Sequence, residues 1–329
     1  MQTIDLDITV TRGSDVESRH RVHAAVVGAD DRLAAAARDA ELVSFWRSCA
    51  KPFQAMPLVE SGGVDQLDWG ADEIALACAS HGGEPEHVTV VERMLCDIGL
   101  EEGDLACGPQ EPLSPRGARL VREAGMRPTR LHNNCSGKHA AMLALAQTQG
   151  WSLHGYERAE HPVQRAALAS VARWTGLEPG AVRLATDGCA VVVFGLPLVA
   201  MARAYARLAR AAVAGDEVPA RIVEAIRARP FLFGGTDRFD TLLLEETGGR
   251  ILAKVGAEGV HSVAVLDAGV GLALKVEDGA TRAQYTAVLQ LLRVLGHLPD
   301  VLPARLADFL HKPVRNSRGE VVGVVGPAA

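Results

Sequence analysis

No stretch of this chain reaches the roughly eighteen uninterrupted apolar residues that a membrane-crossing helix needs, which excludes one. The opening segment, Met1 to Gly13, has neither a basic start nor an apolar run, so it reads as neither signal peptide nor membrane anchor. Basic residues form no stripe. The net charge is -6 with acids and bases interspersed, and nucleic acid is not an expected partner. The six cysteines (Cys49, Cys78, Cys96, Cys107, Cys135, Cys189) lack the close pairing of a secreted disulfide framework. A cytoplasmic location is therefore expected, with these sulfurs as thiols or metal ligands. Aromatic residues are few, at 4%, and repeats, low-complexity tracts and long linkers are missing.

What is present is an ordinary globular composition, 48% apolar and 22% charged, in 329 residues. That length can bury one large core or two modest ones. Residues 4–10 and 20–28 alternate at period two around a polar turn with Gly13, Ser14 and Asp15, which predicts a β-hairpin. A third strand is expected at 41–46. Helical periodicity then dominates, over 71–79, 85–98, 116–124, 137–148, 162–175, 196–213 and 217–228. Strand patterns return at 250–255, 260–266 and 271–277, followed by a helix at 282–297, a short segment at 305–311 and a last strand at 319–325. The order predicts an α/β (α+β) fold, with a sheet built from both chain ends and a helical insertion. Residues 1–62 and 230–329 would form the sheet-containing domain, and 63–229 the mainly helical one.

Six segments could carry chemistry. In Ser48-Cys49-Ala50-Lys51, helical spacing puts Ser48 and Lys51 on one face. A lysine whose amine is neutral can activate a serine hydroxyl, and Ser-x-x-Lys at a strand-to-helix junction is how serine β-lactamases do so. Lys254-Val255-Gly256 sits on a late strand, as Lys-Thr-Gly does in those enzymes; alone it is equally a surface lysine before a turn. Ser80-His81-Gly82-Gly83-Glu84 closes a helix, with Gly82 as a left-handed cap. Asn133-Asn134-Cys135-Ser136-Gly137-Lys138-His139 opens one, where free N–H groups can hold a carboxylate or simply be capped. It lacks phosphate-loop spacing, so nucleotide binding is rejected. Thr186-Asp187-Gly188-Cys189 is a turn whose cysteine, with Cys135, makes half a zinc site or a pair of buried thiols. Phe233-Gly234-Gly235-Thr236-Asp237-Arg238-Phe239-Asp240 reads as a loop supporting a pocket, or as a turn in which Thr236 or Asp237 caps the next helix.

Together these motifs resemble the L-asparaginase II family, the Rhizobium etli-type (class 3) asparaginases. The match runs through Arg47 to Gln54, Ser80 to Glu84, Asn134 to His139, Thr186 to Cys189 and Lys254 to Gly259. The resemblance implies a fold similar to serine β-lactamases and penicillin-binding-protein-like glutaminases. It implies two Ser–Lys pairs, Ser48 with Lys51 and Ser80 with Lys254, and zinc (Zn2+) held by Cys135, Lys138 and Cys189. It also implies a homodimer. The expected reaction is hydrolysis of L-asparagine to aspartate and ammonia. For the substrate, Arg47 or the Asn133–Asn134 helix start would hold the α-carboxylate, and Asp187 and Glu258 are candidates for the α-ammonium. The alternatives are a glutaminase or other small amidohydrolase of this fold, or a non-catalytic zinc-binding module.

Overall fold

The computed structural model describes residues 1–328. The chain opens with six strands: β1 (Gln2–Thr3), β2 (Ile8–Arg12), β3 (Asp15–His20), β4 (Val22–Val27), β5 (Leu33–Ala37) and β6 (Val43–Phe45). A 3-10 turn, Arg47–Ala50, leads into α1 (Lys51–Glu60). The middle is helical: α2 (Gly63–Gln66), α3 (Ala71–Ala77), α4 (Pro85–Asp97), α5 (Pro115–Glu123), α6 (Ser136–Thr148) and α7 (Pro162–Thr175). Strands β7 (Arg183–Thr186) and β8 (Val192–Pro197) interrupt it. Then come α8 (Leu198–Ala214), α9 (Glu217–Ala228), α10 (Pro230–Phe233) and α11 (Phe239–Glu246). The chain closes with β9 (Ile251–Val255), β10 (Val260–Val265), β11 (Val270–Val276), α12 (Thr281–Val294), α13 (Ala304–Leu310), β12 (Lys312–Arg315) and β13 (Val321–Pro327).

Two compact units emerge. The first comprises Met1–Cys49, Leu196–Arg210 and Leu242–Ala329. Its main sheet has the order β1-β5-β4-β11-β10-β9, and a second has β12-β13-β2-β3. Both therefore combine the two chain ends, as the sequence order predicts. The centre of the main sheet is the antiparallel pair β4–β11, in register at Ala25↔Ala273. Strand β10 is buried along its whole length, His261 and Ser262 included. Against β11 lies the first part of α8. A β-carbon on Gly271 would come 2.0 Å from the Ala202 carbonyl, so the alanines of α8 and this glycine permit a backbone-close crossing. The helix thereby supplies core. Farther along the helix Arg207 and Arg210 bind Asp31, at 2.7 and 2.8 Å.

The hairpin expected between residues 4–10 and 20–28 is corrected in its second strand. Strand β2 returns through β3, with Ile8 opposite His20, and β4 belongs to the other sheet.

The second unit, Ala50–Gly195 with Ala211–Thr241, holds the helical middle and the β7–β8 hairpin. Helix α6 is buried on all sides from Ser136 to Ala146, so its apolar sequence carries no polar face. Its Gly137 lies where a β-carbon would be 2.6 Å from the Leu76 carbonyl of α3.

Candidate active site

Within the first unit, Ser48 sits half-buried in the 3-10 turn before α1. Three buried hydrogen bonds pin that turn. Trp46 Nε1 donates to Ser262 Oγ (3.0 Å), Cys49 Sγ to the Lys254 carbonyl (2.9 Å) and the Tyr205 hydroxyl to the Cys49 carbonyl (2.8 Å). The glycine of Lys254-Val255-Gly256 now has its reason. A β-carbon there would lie 3.0 Å from Cys49 Sγ and 3.3 Å from the Trp46 carbonyl, so only glycine lets the turn lie against β9. Lys254 is fully buried on that strand, its Nζ donating to the Val255 carbonyl at 3.1 Å. Arg47, beside Ser48, has a left-handed φ of 52°, a conformation that costs energy in a non-glycine residue and clusters at functional sites. Glu258, the proposed ammonium binder, is exposed in the β9–β10 turn, also with positive φ, and its carbonyl accepts from Lys275 at 2.7 Å.

Within the second unit, Lys51 is buried at the start of α1. Its Nζ lies 2.5 Å from the Ala79 carbonyl, 3.1 Å from Ser80 Oγ and 3.2 Å from the Asn134 carbonyl. Two of these partners can only accept. An ammonium would donate to all three, whereas a neutral amine would donate to the two carbonyls and accept the Ser80 hydroxyl proton. The geometry thus allows a proton to pass between Lys51 and Ser80. This contact is additional to the two pairs that the resemblance implies.

The turn carrying Ser80 is held from several sides. Its His81 accepts the Gly83 N–H at Nδ1 (3.1 Å), and Nε2–H donates to Ser136 Oγ (2.9 Å), which itself donates to the Leu131 carbonyl. Complete burial, aided by the charges of His87 and Lys51, holds His81 well below the usual histidine range. It is a neutral clamp. The left-handed residue is Gly83 (φ 70°), not Gly82; a β-carbon at Gly82 would instead strike Ser114. Glu84, wholly buried, accepts from Arg116 (2.7 Å) and from both the amide and hydroxyl of Thr236 (2.8 and 2.7 Å). Burial would raise this carboxyl, but Arg116 and Thr236 outweigh it and hold it below its ordinary value. Thr236 is thereby committed to Glu84 instead of capping a helix. Sequence reasoning missed this tie between the third and sixth motifs, although Glu84 and Thr236 were each inside one.

The implied metal ligands converge in the second unit. Lys138 Nζ is 3.1 Å from Cys189 Sγ, and Cys135, whose Sγ also donates to Asn134 Oδ1 (3.1 Å), is hydrogen-bonded to Cys189. All three side chains are buried. Cys189 is the thiolate, brought down to about 5 by the Cys135 thiol and then by Lys138. Cys135 is pushed up to about 12 by the same hydrogen bond and by burial. Burial alone would lower Lys138, but the sulfurs of Cys189 and Cys135 and the Asp187 carboxylate raise it. Two sulfurs and one nitrogen fit zinc, with a fourth position left for water, once Lys138 gives up its proton and binds as the neutral amine. Among the described residues no three His, Cys, Asp or Glu side chains form a metal cluster, because the third donor here is a lysine. Asp187 is half-buried beside this group, one oxygen taking the Gly188 N–H. Asn133 closes a loop, accepting from the Cys135 N–H and donating to the Gly108 carbonyl, which fixes its side chain in place.

With this geometry in hand, the comparison with known families is direct: the L-asparaginase II model matches residues 8–327. The chain belongs to the L-asparaginase II family. Solved structures similar to it include Mglu in its native form, at 17% identity and a TM-score of 0.46, covering 84% of this chain and 64% of that one. A β-lactamase from Mycobacterium bovis matches at 13% identity and a TM-score of 0.43, covering 83% and 94% respectively. The chain therefore spans 64% of the length of Mglu. No curated protein matches it significantly. Among the described residues, no helix is long and apolar enough to cross a membrane.

Proposed function

We propose that the chain hydrolyses L-asparagine to L-aspartate and ammonia, with Ser48 as the nucleophile. The observation that carries this reading is the buried Lys51–Ser80 contact, three residues after Ser48 in the chain. Lys51 takes the Ser48 proton; Lys254, on the same unit as Ser48, is the alternative base. The Ser48 oxygen attacks the side-chain amide carbon, and the carbonyl electrons move to oxygen, where backbone N–H groups steady the charge. Collapse of this adduct breaks the C–N bond, and ammonia leaves with the proton the lysine held. Water, deprotonated by the same amine, then cleaves the β-aspartyl ester and returns the proton to Ser48.

Cys135, Lys138 and Cys189 would hold zinc. Bound there, it supplies a cross-link between α6 and the turn after β7, with two thiolates damping its Lewis acidity.

The test is ammonia release by the purified, metal-analysed protein from asparagine and from glutamine, with Ser48→Ala alongside. Expected are asparagine-selective release, a loss of about 10³-fold or more in the variant, and roughly one zinc per chain. Equal turnover by Ser48→Ala, or a preference for glutamine, would overturn the reading.

A further inference from the structure

The loop from Phe233 to Asp240, in the second unit, carries a cation that none of this chemistry uses. Arg238 is half-buried, yet no carboxylate among the described residues pairs with it. Several other partly buried arginines are satisfied, Arg116 by Glu84, Arg207 and Arg210 by Asp31, and Arg130 by the Gly103 and Leu105 carbonyls.

The loop is rigidly placed beside the Ser80 turn. Glu84 takes both polar groups of Thr236, and Gly235, at φ 133°, lies where a β-carbon would come 2.8 Å from Glu84 Oε1. That same β-carbon would be 3.4 Å from the Gly82 amide nitrogen and 3.5 Å from Arg238 Cγ. The stem of Arg238 and the Gly82 amide are thus neighbours across a glycine, two residues from Ser80. The positive charge is felt there as well, contributing after burial to the depression of both His81 and His87. No acid on the loop neutralises it by an ion pair, so the preference of this spot is for an incoming anion.

We infer that Arg238 binds the α-carboxylate of the amino-acid substrate and so sets the preference for free amino-acid amides over simple amides. The planar guanidinium matches a carboxylate with two parallel N–H donors. The Asn133 amide is held at both ends, by the Cys135 N–H and the Gly108 carbonyl. The inference rests on the proposed asparagine hydrolysis, but its test separates the two.

Asparagine is compared with 3-aminopropanamide, which is asparagine without its α-carboxylate, in the wild type, Arg238→Met and Arg238→Lys. Loss of a charge-assisted pair corresponds to roughly 10- to 100-fold in affinity. The ratio of kcat/KM for asparagine to that for 3-aminopropanamide should fall by about that factor in Arg238→Met and by less in Arg238→Lys. In parallel, calorimetry with L-aspartate and with 3-aminopropanoate reads binding without turnover, and aspartate alone should lose affinity by a similar factor. Thermal melting checks that each variant is folded. An unchanged substrate ratio, or an equal loss for both binding probes, overturns the assignment while leaving asparagine hydrolysis standing. Arg238-dependent aspartate binding in a protein that releases no ammonia upholds the assignment and removes the hydrolysis.

Discussion

At the scale of single residues, spacing along the sequence reaches only what is local. Ser48 and Lys51 are three apart, and the lysine is indeed buried at a helix start. What spacing could not show is the partner 29 positions away, Ser80, or the glutamate that ties two loops together across 152. Such contacts are made by folding and leave no periodicity. Glu84 illustrates the energetic stake. Glu84→Gln keeps the shape but removes the charge facing Arg116 and replaces one acceptor oxygen with a donor toward Thr236. Breaking a buried pair from one side costs several kcal/mol, and partial exposure of Arg116 discounts this to about 2 kcal/mol. Urea unfolding should show that loss at pH 7, and an unchanged midpoint would mean that the pair contributes nothing.

Sequence periodicity marks secondary structure where one period runs uninterrupted, and misleads where two elements share one. The helices at 162–175 and 217–228 fall where their patterns place them, because proline or acidic starts and a continuous apolar face agree. The strands β3 and β4 are separated only by Arg21, so the alternation passes straight from one sheet into another without a visible break. Strand β5, LAAAA, carries no strand signal, because alanine is a poor strand former and its burial comes from tertiary packing. The contact of α8 with β11 gives a prediction. Gly271→Ala puts a methyl carbon 2.0 Å from the Ala202 carbonyl and 2.2 Å from the Ala206 nitrogen, both backbone atoms that cannot swing aside. Overpacking of this kind costs about 3 kcal/mol or more. The variant should melt well below the wild type or fail to accumulate as folded protein; a melting temperature within a degree or two would show that α8 can lift at little cost.

For the molecule as a whole, the sequence order revealed a sheet drawn from both ends, since strand patterns cluster there. It could not reveal that Leu196–Arg210 joins the first unit, because a buried helix looks alike in either. The distribution of charges sets a whole-molecule response to acid. His81, His87 and His139 are buried and held below their usual value, His139 to about 3. The unfolded chain therefore binds more protons below pH 6.5, and stability declines from there. Asp7, held down by Arg38, and Asp31 and Glu84, in which arginines outweigh burial, add their loss only as pH falls below their unfolded values of 3.8 and 4.5. Urea midpoints should decline as pH falls below 6.5 and steepen below 4.5. A midpoint constant down to pH 4 would contradict this proton inventory.

The pairing of Ala25 with Ala273 has a consequence for how the protein is made. A ribosome adding 5–20 residues per second needs roughly 12–50 s to cover the ~250 residues between them. Throughout that interval β4 has left the exit tunnel with one flank of its hydrogen-bonding groups unsatisfied and its apolar faces open. Chaperone attachment to the nascent N-terminal segment should therefore outlast the emergence of the entire helical middle, and a message truncated before residue 270 would deliver a chain that can never close its sheet.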